Sequence, residues 1–181
     1  MKTRRPSFRR ILPLLAAICL SAVTPVARAE WAPSVVNARS DKLAPVALDQ
    51  VKVEGEIGRR IKVTIENSLL NLDVDNDFLK PFRDKKTKTG DTGLGMRIDC
   101  AVRLAYHTGD SRIVDFKNHL IKTAIDNQEP EGYLGQFDHK NRLWAFMDIQ
   151  ELACLVQGLL TDYRLFKDER SLAAARRQAD H

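Results

Sequence analysis

The first 29 positions contain no acidic residue, although Lys2, Arg4, Arg5, Arg9, Arg10 and Arg28 all fall there. Nor do they contain an apolar run long enough to cross a bilayer. ILPLLAAICLSAV has 13 residues, against the roughly 20 that a transmembrane helix needs. A basic start, a short apolar core and the small-x-small pattern Ala27-Arg28-Ala29 predict a secretory signal peptide cut after Ala29. The expected location is therefore secreted or periplasmic. Bulky Ile18 ahead of Cys19 argues against a lipid anchor there.

Basic excess is missing once this segment is set aside. Residues 1–29 hold 6 of the 29 Lys and Arg and none of the 24 Asp and Glu, so the remaining 152 residues carry 23 basic and 24 acidic side chains. The high pI belongs to the export signal, and nothing in the mature chain calls for nucleic acid or an anionic membrane as partner.

Metal and cofactor motifs are also missing. The mature chain keeps two cysteines, Cys100 and Cys154, with no histidine at ligand spacing, which excludes a zinc site of the usual kind. Both lie in apolar helical patterns. They are expected to be buried free thiols, with a disulfide as the open alternative. Asp73, Asp75 and Asp77 alternate like the start of a calcium loop, and Asp84 stands at its twelfth position. The sixth position is Phe78, where the sharp turn requires Gly. A helix end followed by a solvated loop is expected instead. Gly90, Gly93 and Gly95 have the wrong order and spacing for a dinucleotide loop.

What is present is helical periodicity. Residues 30–58 read as an irregular leader, with alternating apolar residues from Val46 to Val53 that predict a short strand or extended arm. Ile61, Ile65, Leu69 and Leu72 then recur at helical spacing. Ile98, Ala101, Val102 and Ala105 mark a second helix, and Asp99 and Arg103 pair on its other face. Asp110 caps a third, with Ile113, Phe116, Leu120, Ala124 and Ile125. A long helix is predicted from about 143 to 166, with Ile149, Leu152, Ala153, Val156, Leu160 and Tyr163 as its stripe. Asp168 caps a last one.

Two stretches echo each other. One helix ends near Tyr106 and restarts near Asp110. Another ends near Tyr163, 57 residues on, and restarts near Asp168. The repeat predicts an array of helical hairpins rather than a closed bundle.

Candidate chemistry gathers at QEPEGYLG, residues 128–135, and WAFMDIQE, residues 144–151. Gln150, Cys154, Gln157, Gly158 and Thr161 form a second stripe that reads either as a cavity lining or as a polar seam between helices. Trp144, Phe146 and Tyr133 could stack on sugar faces or fill core. Glu129, Glu131, Asp148 and Glu151 could supply a carboxylate pair for glycoside cleavage, if two of them converge. His107, His119 and His139 are scattered.

The segments Gln128 to Gly135, then Trp144 and Asp148-Ile149-Gln150-Glu151, then Ala179-Asp180-His181, resemble in order and spacing Q-x-x-D-G-Y-L, W…D-I-H-E and A-D-H of the β-L-arabinofuranosidases, glycoside hydrolase family 127. The resemblance covers roughly residues 45 to 181. It implies an all-α fold, here a partial (α/α)6 toroid of helical hairpins over residues 59–181, preceded by the short strand or arm. It implies a carbohydrate partner, and substrate-binding roles for Gln128, Gly132, Tyr133, Trp144, Gln150 and Glu151. Gln150 stands where the family has a histidine, and Gln cannot carry a proton. Glu131 replaces an Asp. The family's nucleophilic cysteine and its zinc ligands have no counterpart here. The expectation is therefore the N-terminal part of a glycoside hydrolase, with no cofactor of its own in this chain. The alternatives are a non-catalytic carbohydrate-binding or scaffold protein, and a truncated remnant. Uncovered helical faces would favour self-association.

Overall fold

A computed structural model describes residues 45–181. The expected signal peptide and most of the leader lie outside them. The described chain is all-α, and among the described residues the only β-type pairing is an isolated parallel bridge between Thr87 and Phe137. The expected strand at Val46–Val53 is therefore replaced. A single 3-10 turn, Leu48–Gln50, is followed by extended chain that pairs with no strand among the described residues. Val46, Val51 and Val53 stay exposed, so the alternation there marks no buried face.

Helix α1, Gly55–Thr64, continues into a π-helical turn at Ile65–Leu69. Its inner face is Ile61, Ile65 and Leu69, as the spacing predicts. The next stretch departs from expectation. Residues after Asp73 form no solvated loop but a π turn, Asp75–Leu79, and a short helix α2, Lys80–Asp84. Val74, Leu79 and Phe82 are buried there, and their spacing of three to five residues gives one apolar side. Asp73 accepts from Asn76, and Asp75 pairs with Arg83, so these carboxylates serve turns and surface pairs.

Helices α3, Leu94–Thr108, and α4, Ser111–Asp126, form one hairpin; α5, Asp148–Phe166, and α6, Glu169–Asp180, form another. Their corners share one design. A residue in the left-handed region ends the first helix (Gly109 at φ 65°, Lys167 at φ 61°), and an aspartate caps the second. Asp110 accepts the Arg112 N–H, and Asp168 accepts the Arg170 N–H, both at 2.9 Å. The echo in the sequence is thus a repeated corner.

The hairpins stack with like helices together, α3 on α5 and α4 on α6. Ile98, Ala101, Val102, Leu155 and Leu159 fill the seam. Close approach is enforced by glycine. A Cβ on Gly95 would come within 2.3 Å of the α5 backbone at Cys154 and Leu155, and one on Gly158 within 2.8 Å of the Gly95 carbonyl. Lys117 and Asp162 form a buried ion pair at 2.8 Å, which Ser171 joins by donating to Asp162 at 2.7 Å. One network therefore ties α4, α5 and α6. The buried pair satisfies its own hydrogen bonds, as a desolvated pair must.

The second stripe on α5 divides. Gly158 and Thr161 are buried against α3, with the Thr161 hydroxyl donating to Asp99 at 2.6 Å, whereas Gln150 and Gln157 are exposed. Its buried part is a polar seam with α3, and its two glutamines face outward. Helix α5 also starts later than expected, because Leu143 (φ 62°) and Met147 (φ 74°) adopt left-handed backbone and break the helix before Asp148. The thiols are free, but Cys100 is exposed and Cys154 half-buried, so the expectation of full burial fails.

Candidate functional site

Helix α4 ends at Asp126, and the chain then turns through 128–142 before reaching α5. Pro130 cannot continue a helix, and Gly132 (φ 105°) takes a backbone few side chains tolerate. A Cβ on Gly132 would lie 2.2 Å from the Arg177 carbonyl of α6. The corner is therefore pressed onto the last helix. Gln128 reinforces this: its amide donates to the Gly132 carbonyl at 2.8 Å and to the Ala174 carbonyl at 3.0 Å, and its oxygen accepts from Arg177. Gln178 of α6 accepts the Leu134 N–H.

Tyr133 is fully buried at the centre of the corner. Its hydroxyl donates to Asp148 Oδ1 at 3.0 Å and accepts the Phe137 N–H at 3.2 Å. The Arg142 guanidinium lies 3.9 Å from its ring centroid, Lys85 Nζ 5.6 Å, and the His181 ring 5.4 Å. Burial pushes the phenol well above its usual range, so it stays protonated and donates.

Arg142 reaches across the corner to both glutamates. It meets Glu129 at 2.6 and 2.8 Å and Glu131 at 3.3 Å, while Lys85 lies 3.8 Å from Glu129. The bidentate guanidinium holds the Glu129 carboxyl down at about 2. Glu129, Glu131 and His139 bring candidate ligand atoms within 4.8 Å of one another. Arg142 already holds both carboxylates through its two terminal nitrogens, while its Nε donates to the Phe137 carbonyl.

Asp148, the first residue of α5, is fully buried. Its Oδ2 accepts the Leu143 N–H at 2.7 Å while Oδ1 receives Tyr133. Between Leu143 and Met147 the chain makes a turn that exposes Trp144 by 93% and Phe146 by 74%. Leu143 and Ile149 are exposed on either side of them.

The six residues singled out in the sequence thus separate. Gln128, Gly132 and Tyr133 form the corner. Trp144 stands on the turn joined to it through Asp148. Gln150 is exposed on the first turn of α5. Glu151 serves elsewhere: it is buried and accepts the N–H groups of Thr92, Gly93 and Gly95 at 3.1, 2.8 and 2.9 Å. A carboxylate at a helix N-terminus meets unpaired donors and a favourable dipole, and here it fastens α5 to α3. Burial raises its pKa, and the three N–H groups oppose that rise. Neither it nor Asp148 has an oxygen without a hydrogen bond, so of the four acids only Glu129 and Glu131 converge, with Arg142 between them.

Arg142, Lys85 and Gln178 were not singled out in the sequence. The signal available for Arg142 was an Arg following two close glutamates in a loop. Lys85 and Gln178 gave none, since they reach the corner only through tertiary folding. A separate depression of 290 Å³ lies over the first turns of α3, lined by Thr92, Gly93, Met96, Arg97 and Cys100. It includes none of the corner residues. No helix among the described residues is long and apolar enough to cross a membrane. Comparison with family models, with curated proteins and with solved structures finds no match.

Proposed function

We propose that this chain carries the sugar-contacting rim of a glycoside hydrolase-like protein of helical hairpins, acting on arabinofuranosides or related plant-type glycans. The resemblance to family 127 motifs suggests the class of sugar, and two stacked hairpins with equivalent corners agree with a segment of an (α/α)6 ring. The observation that carries the reading is Trp144. An indole exposed by 93%, on a turn fixed beside a rigid polar corner, offers the flat apolar face that sugar C–H groups stack on. Gln150, exposed on the first turn of α5, supplies an amide donor and acceptor for hydroxyls.

A non-catalytic carbohydrate-binding role is the second reading, and a specific observation favours it. All four carboxylates that could cleave a glycoside are already bound to Arg142, Tyr133 or backbone N–H groups. In both readings this chain holds sugar; they differ in whether turnover accompanies binding. Calorimetric titration with arabinofuranosyl oligosaccharides tests the shared claim. Saturable heat is expected for the wild type, with affinity at least about tenfold weaker in Trp144→Ala, the loss of one stacked face. No heat, or equal heat from the variant, would sink it. Release of free arabinose during the titration would separate the enzyme reading from the binding one.

A further inference from the structure

We infer that Asp148 is the positioning residue of this site, holding the Trp144 turn open by binding its backbone to the Tyr133 corner. The carboxylate is fully buried and spends both oxygens on this task, one on the Leu143 N–H at 2.7 Å and one on the Tyr133 hydroxyl at 3.0 Å. The turn between is strained. Leu143 and Met147 are non-glycine residues in the left-handed region, at φ 62° and 74°. Such backbone persists only where surrounding contacts over-determine it. It bends the chain so that Trp144 and Phe146 project outward at the residues where a regular helix would begin to turn them along α5. Without Asp148, helical extension of α5 toward residue 143 or collapse of the turn would rotate Trp144 away from the corner. Tyr133 is in turn fixed by the Phe137 N–H and by the Arg142 guanidinium stacked at 3.9 Å. The chain of contacts therefore runs from the glutamate-clamped corner through Tyr133 and Asp148 to the exposed indole.

Only the glycan arm of the test rests on the sugar-rim reading. Trp31→Phe leaves Trp144 as the sole tryptophan, since the chain has two. In that background, Asp148→Asn confronts either the Leu143 N–H or the Tyr133 hydroxyl with a second donor. Expected are a fall in Trp144 fluorescence anisotropy under native conditions and cleavage by trypsin after Arg142 about tenfold faster, the scale of losing one charge-assisted hydrogen bond. Loss of overall stability alone would not lower the native-state anisotropy of one side chain. Unchanged anisotropy and cleavage in a folded variant overturn the inference. Amide exchange on the unmodified chain decides it even if the variant does not fold. The Leu143 N–H should exchange at least about tenfold more slowly than an open amide, although its side chain is exposed, and exchange at the open rate overturns the inference. With arabinofuranosyl oligosaccharide, Asp148→Asn should weaken binding about tenfold, following the indole. If the wild type binds no glycan, the sugar reading fails alone, and anisotropy, cleavage and exchange still judge Asp148.

Discussion

Gly132 is a residue at which a single methyl group meets two obstacles at once. Its backbone lies at φ 105° and the Arg177 carbonyl sits 2.2 Å from where a Cβ would be. Gly132→Ala combines backbone strain with a clash against backbone that cannot rotate aside, and should cost about 2–4 kcal/mol. Urea denaturation followed by circular dichroism would measure it; an unchanged midpoint would mean the corner is not pressed onto α6. Glu129 gives a pH signature. Its carboxyl is held at about 2, below the ordinary 4.5. Such a group adds stability that is complete above 4.5 and is lost as the pH falls through 2. Between those values the urea midpoint should fall, and Arg142→Met should flatten that part of the profile. Glu151→Gln should cost about 1–3 kcal/mol at neutral pH, because an amide NH₂ would face N–H donors that now meet oxygen. These acids show the limit of reading residues from sequence. Glu129, Glu131, Asp148 and Glu151 look alike there, as acids near aromatics. Which of them is clamped by arginine, caps a helix or binds a tyrosine depends on partners far along the chain.

At the scale of elements, the hairpin corners were the most legible part. Local rules fix them: an aspartate N-cap needs only the next turn of helix, and the left-handed residue before it only its own backbone. The equivalence of the two corners predicts opposite responses. Lys167 takes the left-handed conformation at a cost that Gly109 avoids, so Lys167→Gly should stabilise by about 0.5–1 kcal/mol and Gly109→Ala should destabilise by a similar amount. Thermal unfolding of the two variants checks this, and a loss from both would contradict a shared design. Elements governed by tertiary contacts were harder to read. The alternating valines at 46–53 have no neighbouring strand among the described residues, so period-two spacing carried no register. Residues 75–84 were expected to be a helix end and solvated loop, yet Val74, Leu79 and Phe82 found a common core. Helix α5 starts later than the expected 143 because left-handed backbone at Leu143 and Met147 breaks the helix, which apolar spacing does not reveal.

For the whole molecule, the stacking of α3 on α5 and α4 on α6 is the arrangement a hairpin array would take, and the all-α class follows from the sequence periodicity. The six sugar-contact candidates were only partly legible as a site. Gln128, Gly132 and Tyr133 do converge; Glu151 turns toward α3. Apolar surface stays uncovered at Leu143, Trp144, Phe146 and Ile149, and along α1 at Ile57 and Val63. Burying one such side chain is worth about 1.5–3 kcal/mol, so dilute and concentrated samples should sediment differently.

The proposed sugar platform is the indole of Trp144, and NMR can watch that group alone. In the Trp31→Phe chain the single indole N–H cross-peak should move saturably as arabinofuranosyl oligosaccharide is added, and the Leu134 amide of the corner should move with it. An indole peak that stays fixed while the oligosaccharide binds elsewhere, or fails to bind, would contradict the proposal.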